Sequence, residues 1–298
     1  MRIPRTDLAM EASRAAGEIS GVKMEQERIG SSVVTRISVQ NEQGARAIGK
    51  PIGTYITIED SNLCNNKAQD DHALAQCIAR QLLSLIDFPT AGCALVVGLG
   101  NRELTPDSLG PRVTQQILVS RHILRHLPGV LDARVHSVCV LTPGVMGTTG
   151  METEEVVKAV VRTVRPSCVI LVDALAARST ERILSTVQIT DTGAVPGSGV
   201  GNHRRALTRD TLGVPVLAVG VPTVVHASTI LHDALEALSE KDFPLPDASL
   251  HSPDGQDLVV TPVGIDASVR ISAAVVADAI NLALQPELAP EEIRALCI

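Results

Sequence analysis

Residues 166–183, Pro-Ser-Cys-Val-Ile-Leu-Val-Asp-Ala-Leu-Ala-Ala-Arg-Ser-Thr-Glu-Arg-Ile, decide how the chain reads. Positions 168–172 form an apolar, β-branched run without polar alternation, the pattern of a parallel strand covered on both faces, and the run stops at Asp173. Residues 174–183 read as a short helix or helical turn. Asp173 is thereby expected at the carboxyl end of a strand, the edge along which open α/β sheets place their ligands. Asp is also among the best helix N-caps, and taken alone Asp173 reads as a cap. A second segment of the same design, residues 94–107, shifts the balance toward chemistry.

That segment opens with a buried strand over 94–97 and continues Gly98-Leu99-Gly100-Asn101-Arg102-Glu103-Leu104-Thr105-Pro106-Asp107 into a helix expected over 112–127. Gly98 and Gly100 imitate the start of a dinucleotide fingerprint, but Glu103 stands at the third glycine position and no Walker lysine follows. Thr105-Pro106-Asp107 also has the form of a plain helix start, with cap, N1 proline and dipole-matched acid. An acid there already occupies the positive end of the helix, which disfavours a bound anion. A strand over 134–141, a glycine loop over 142–150 and a helix from Thr153, with Val156, Val157, Val160, Val161 and Val164 at helical spacing, lead back to the Asp173 strand. This succession needs right-handed crossovers and gathers the loops at one sheet edge. The expectation is an α/β fold, a mostly parallel twisted sheet with helices on both faces, and both aspartates at that edge.

Outside this centre the reading is coarser. A short helix is expected near 6–12, strands over 32–40 and 54–59, a polar turn over 41–51 and a helix over 70–86. Further on come a strand over 186–190, a glycine loop over 193–202, a buried strand over 214–221, a proline- and Asp-rich surface excursion over 239–256, and a last helix capped by Asp266. No composition break marks a boundary, so residues 1–298 read as a single domain, with 1–90 packed on a 91–298 core.

Composition narrows the function. The chain has 298 residues, 45% of them hydrophobic, with two Phe, one Tyr and no Trp, so Ala, Val, Leu and Ile must fill the core. Scarce aromatics and a net charge of −7 disfavour direct nucleic-acid binding. Six dispersed cysteines without a CxxC pair read as free thiols in a reducing compartment. No apolar leader and no long uncharged apolar run appears, so a cytoplasmic protein without membrane contact is expected. His122 and His126 have metal-ligand spacing but read as a solvated basic helix face, which leaves His226 as the one histidine of interest.

The segments Val-Val-Gly-Leu-Gly-Asn and Thr-Pro-Asp-Ser-Leu-Gly-Pro within 96–111, the loop 142–150, Asp-Ala-Leu-Ala-Ala-Arg-Ser-Thr-Glu-Arg over 173–182 and the stretch 191–202 resemble the germination protease family of spore-forming bacteria. The likeness extends to Arg5-Thr6-Asp7-Leu8-Ala9 and to Val259-Val260-Thr261-Pro262, and so spans essentially the whole chain. It implies an atypical aspartic-type endopeptidase, without metal or other cofactor, that degrades small acid-soluble spore proteins in the forespore or spore core during germination. It further implies a fold similar to that of the hydrogenase maturation peptidases, a homotetramer, and a zymogen with an N-terminal prosegment. In this chain Met1 to Pro4 precede the Arg5-Thr6-Asp7 match. The family's two catalytic aspartates correspond to Asp107 and Asp173, with their individual roles open. Gly100, Asn101, Arg178, Gly199 and Asn202 are the candidates to position substrate or oxyanion. Two alternatives stand beside this reading: a metal-dependent peptidase using Asp107, Asp173 and His226, and a non-enzymatic nucleotide or phosphate binder.

Overall fold

The computed structural model describes residues 6–17, 19–64, 68–86, 88, 92–197, 205–238 and 258–297. Its strands are β1 (Val22–Ile29), β2 (Ser32–Val39), β3 (Gly53–Glu59), β4 (Cys93–Gly98), β5 (Ser137–Leu141), β6 (Cys168–Ala177), β7 (Thr186–Thr190), β8 (Val216–His226) and β9 (Val259–Val260). They form one sheet in the order β1-β2-β3-β7-β8-β6-β4-β5, with β9 paired to β8. The apolar run at 168–172 lies between β4 and β8 and runs parallel to both, as its lack of alternation requires.

The α/β class holds, but the sheet is mixed rather than mostly parallel. Only β5, β4, β6 and β8 are mutually parallel, whereas β1, β2, β3, β7 and β9 join antiparallel. The cause lies in the connections: β1 meets β2 through the tight Gly30-Ser31 turn, and antiparallel pairing is what such a turn permits. β1 itself was not anticipated. Its residues 23–28 are exposed along a sheet edge and, Met24 apart, polar, so no apolar pattern announces it.

The helices are α1 (Ala9–Ala16), α2 (Glu42–Ile48), α3 (Ala68–Leu83), α4 (Leu109–Thr114), α5 (Arg121–His126), α6 (Met146–Thr149), α7 (Thr153–Val164), α8 (Arg209–Leu212), α9 (Ala227–Leu238), α10 (Ile265–Leu284) and α11 (Pro290–Leu296). They cover both faces. Val96, Ile170, Val172 and Leu217 meet α3, α4 and α10 on one side, while Leu95, Val97, Val169 and Leu171 meet Val157 and Val161 of α7 on the other. The helix α10 is long and apolar enough to cross a membrane, and in this molecule it is the central core helix, with Val269, Ala273, Val276, Ile280 and Ala283 buried.

Four local expectations are corrected. The helix after Asp173 is absent: β6 continues to Ala177, and only a 3₁₀ turn, Thr180–Arg182, follows. Parallel pairing of 174–177 with β8, through an irregularity at Leu175/Ala176, outweighs the helical propensity of an Ala-rich segment. The same irregularity accommodates Pro222 inside β8, which runs on to His226. The helix expected over 112–127 is broken into α4 and α5, because its intervening backbone is bonded elsewhere. Asn281 Oδ1 accepts Leu118 N at 2.9 Å, Asn281 Nδ2 donates to Gln116 O at 2.9 Å, and Ser120 N donates to Val138 O at 3.1 Å. Finally, the expected turn over 41–51 holds α2, capped by the Asn41 side chain and closed by Gly49 in the left-handed conformation. The excursion expected over 239–256 lies outside the described residues.

Candidate active site

β4 ends at Gly98, which pairs with Val172, whereas β6 runs five residues further beside β8. Asp173 is therefore the first residue of β6 beyond its β4 neighbour. Since β5 and β6 flank β4 on opposite sides, a crevice opens here at the carboxyl ends of the strands, the switch point at which doubly wound sheets bind ligands.

The chain leaving β4 folds over this opening. Leu99 N donates to Val172 O at 2.8 Å, and the loop then closes into a single 3₁₀ turn, Thr105–Asp107. Thr223 Oγ1 of β8 donates to Pro106 O at 2.7 Å, and Asp107 N donates to Leu104 O at 2.8 Å. Within the loop, Asn101 N donates to Asp107 Oδ2 at 2.8 Å. Gly100 makes that contact possible. Its φ is +106°, and a Cβ there would lie 2.1 Å from Asp107 O and 2.8 Å from Oδ1.

Asp107 and Asp173 line one cavity of about 600 Å³, together with Asp7, Lys50, Gly100 and Asn101. Asp173 is half-buried, with the cavity as its outlet to solvent. Burial first, then the negative charge of Asp107, then that of Asp7 push its carboxyl well above the usual carboxylate range. Ala174 N, which donates to Asp173 Oδ1 at 2.9 Å, opposes them. Two aspartates 66 residues apart in sequence are thus in electrostatic contact at the mouth of one crevice.

The positioning candidates separate. Gly100 and Asn101 line the cavity, and the Asn101 N–H is committed to Asp107. Arg178 is not among the lining residues; its backbone N donates to Glu11 Oε2 at 2.8 Å. Gly199 and Asn202 lie outside the described residues, although Gly193 to Gly197 of the same loop line the cavity. His226 is buried at the end of β8, opposite Val259 of β9, and is not among the lining residues. His122 and His126 sit exposed on α5. Among the described residues no group of three His, Cys, Asp or Glu side chains is placed to hold a metal ion. Gly98, the first residue of the imitated phosphate loop, has a packing role: a Cβ there would lie 2.3 Å from Gly110 O of α4.

One carboxylate escaped the sequence reading. Asp7 is anchored to β6 by a reciprocal pair, Asp7 N donating to Ala176 O at 2.9 Å and Ala176 N donating to Asp7 Oδ2 at 2.9 Å. Gln188 Nε2 donates to Asp7 O at 2.9 Å, and the half-buried Lys50 donates from Nζ to Thr6 O at 3.1 Å and Asp7 O at 3.0 Å. Leu8, Ala9 and Met10 follow it into the interior. No periodicity could reveal a contact between positions 7 and 176; the only signal was that Arg5-Thr6-Asp7-Leu8-Ala9 shares in the family likeness.

Comparison with known proteins places the chain in a family. The family model described as Germination protease matches residues 4–243. The chain is 39% identical to the Germination protease of Clostridium perfringens, over 97% of this chain and 97% of the relative. It is 42% identical to that of Caldanaerobacter subterraneus subsp. tengcongensis, over 98% and 97%, and 34% identical to that of Priestia megaterium, over 98% and 96%. With a family match over most of its length and relatives covered almost end to end, this chain belongs to the germination protease family and is a peptidase of spore germination.

Proposed function

We propose that the protein is an aspartic-type endopeptidase that cuts small acid-soluble spore proteins with a water molecule activated between Asp107 and Asp173. The observation that carries this reading is that the two carboxylates line one crevice and that the charge of Asp107 raises the proton affinity of Asp173. Two neighbouring carboxylates share a proton, and their titration belongs to the pair. Asp173, whose proton affinity is raised by burial and by the neighbouring negative charges, is the member that keeps the proton. Asp107, whose Oδ2 accepts the Asn101 N–H, is the ionised base.

In the reaction, Asp107 takes a proton from water as its oxygen bonds to the peptide carbonyl carbon. Asp173 gives its proton to the leaving nitrogen as the C–N bond breaks, so that the net change is addition of one water. No step calls on a metal or cofactor. The family resemblance also carries a homotetramer, a zymogen and a location in the forespore or spore core; light scattering on the purified protein tests the first.

The test of the mechanism compares wild type with Asp107→Asn and Asp173→Asn on a purified small acid-soluble spore protein. Each variant is expected to keep its circular dichroism and to lose cleavage by roughly 10²–10⁴-fold or more, the usual worth of a positioned acid or base. A folded variant that cuts at the wild-type rate removes that aspartate from the mechanism.

A further inference from the structure

Asp7 lines the same cavity as the pair, although it comes from the first turn of the described chain rather than from a sheet crossover. Its carboxylate is fixed by the Ala176 N–H at 2.9 Å, three residues beyond Asp173 on the same strand. The backbone beneath it is held from three further directions, by Ala176 O, Gln188 and Lys50. Resting on the two-aspartate reading, we infer that Asp7 is a positioning residue for the reaction, a third carboxylate whose fixed charge assigns Asp173 the role of acid and leaves Asp107 the role of base.

The electrostatic surroundings support it. Asp7 and Asp107 both act on Asp173 in the same direction as its burial. The charged or titratable groups at the ends of the elements nearest Asp7 in the fold include Glu11 and Arg14 of α1, Lys50 after α2, Tyr55 of β3, Arg178 after β6 and Asp191 after β7. Glu11 is occupied by the backbone N–H groups of Arg178 and Ser179, at 2.8 and 2.9 Å. Asp191 Oδ1 accepts Thr54 N at 2.8 Å, and Tyr55, pushed up to about 12 by burial, donates its hydroxyl to Pro51 O. Lys50 is the cation that feels Asp7, but its Nζ hydrogen bonds go to the carbonyls of Thr6 and Asp7, and burial pushes its pKa down. The charge of Asp7 is therefore felt by Asp173 in spite of the ammonium nearby.

The experiment is the pH profile of kcat/KM for Asp7→Asn against wild type, with a small acid-soluble spore protein as substrate and Asp107→Asn and Asp173→Asn alongside. Asn keeps an oxygen for the Ala176 N–H and removes only the charge. Asp173 then releases its proton more easily, so the alkaline limb moves to lower pH. The expected result is a kcat/KM reduced about tenfold or more on the alkaline limb and recovering toward wild type as the pH falls below it. Asp7→Glu, which restores the charge, is expected to bring the limb back. A profile that coincides with wild type overturns the inference, as does an equal loss at every pH that Glu does not repair. Asp7→Ser, again an oxygen without charge, replaces Asn if the latter does not fold, and unfolding of both assigns Asp7 to structure alone and also overturns it. Retained cleavage by Asp107→Asn or Asp173→Asn sinks the two-aspartate reading itself. Dead aspartate variants beside an unshifted Asp7→Asn profile sink only the present inference.

Discussion

Asp173 is held in a place that suits chemistry better than stability. Its carboxyl titrates higher in the folded chain than in the unfolded one, so between those two values the folded protein binds more protons and loses stability as pH rises through the window. Asp173→Asn removes that burden while leaving shape and packing intact. The variant is expected to melt higher than wild type at pH 7–8, by roughly 2–4 °C for each ~1 kcal/mol relieved, while failing to cut. Below about pH 4, where an Asp is protonated folded or unfolded, the gain is expected to vanish. Calorimetry across pH checks this, and a variant less stable than wild type at pH 8 would contradict it. Asp107 is served differently, by a glycine and a backbone N–H: Gly100 is the residue type that lets the loop pass 2.1 Å from the Asp107 carbonyl, measured from where a Cβ would stand.

Among the elements, the tight seat of α4 brings the two aspartates together. A Cβ on Gly110 would lie 2.3 Å from Leu99 O and 2.5 Å from Val172 O, so the helix start touches the backbone of both the β4 exit and the residue before Asp173. Gly110→Ala must push these apart. A loss of about 1–3 kcal/mol in urea unfolding is expected, as for other overpacked sites, with a lowered kcat in the protein that remains folded. The Asp7 segment, likewise, is an element only by virtue of β6: its bonds run to Ala176 and Gln188, 169 and 181 residues away.

For the whole molecule, the long core helix α10 determines where the helix expected over 112–127 stops. Asn281 is 2% exposed, and its amide satisfies both Leu118 N and Gln116 O at 2.9 Å. Asn281→Ala strands a donor and an acceptor in the interior. It is expected to cost about 2–4 kcal/mol in chemical denaturation while leaving kcat of the folded fraction unchanged, since Asn281 does not line the cavity.

Much of this architecture could be read from residue order alone. The branched run at 168–172, the valine stripe of α7 and the loop with Thr105-Pro106-Asp107 set an α/β sheet and both aspartates at one edge, because burial on two faces and helical periodicity leave local marks on composition. What only tertiary structure decided is where strands and helices end and what joins them sideways. The extension of β6 past Asp173, the break between α4 and α5, the antiparallel half of the sheet and the placing of Asp7 beside Asp173 each depend on a hydrogen-bond partner or a charge far away in the chain. A backbone N–H or a carboxylate carries no record of such a partner in its own sequence neighbourhood.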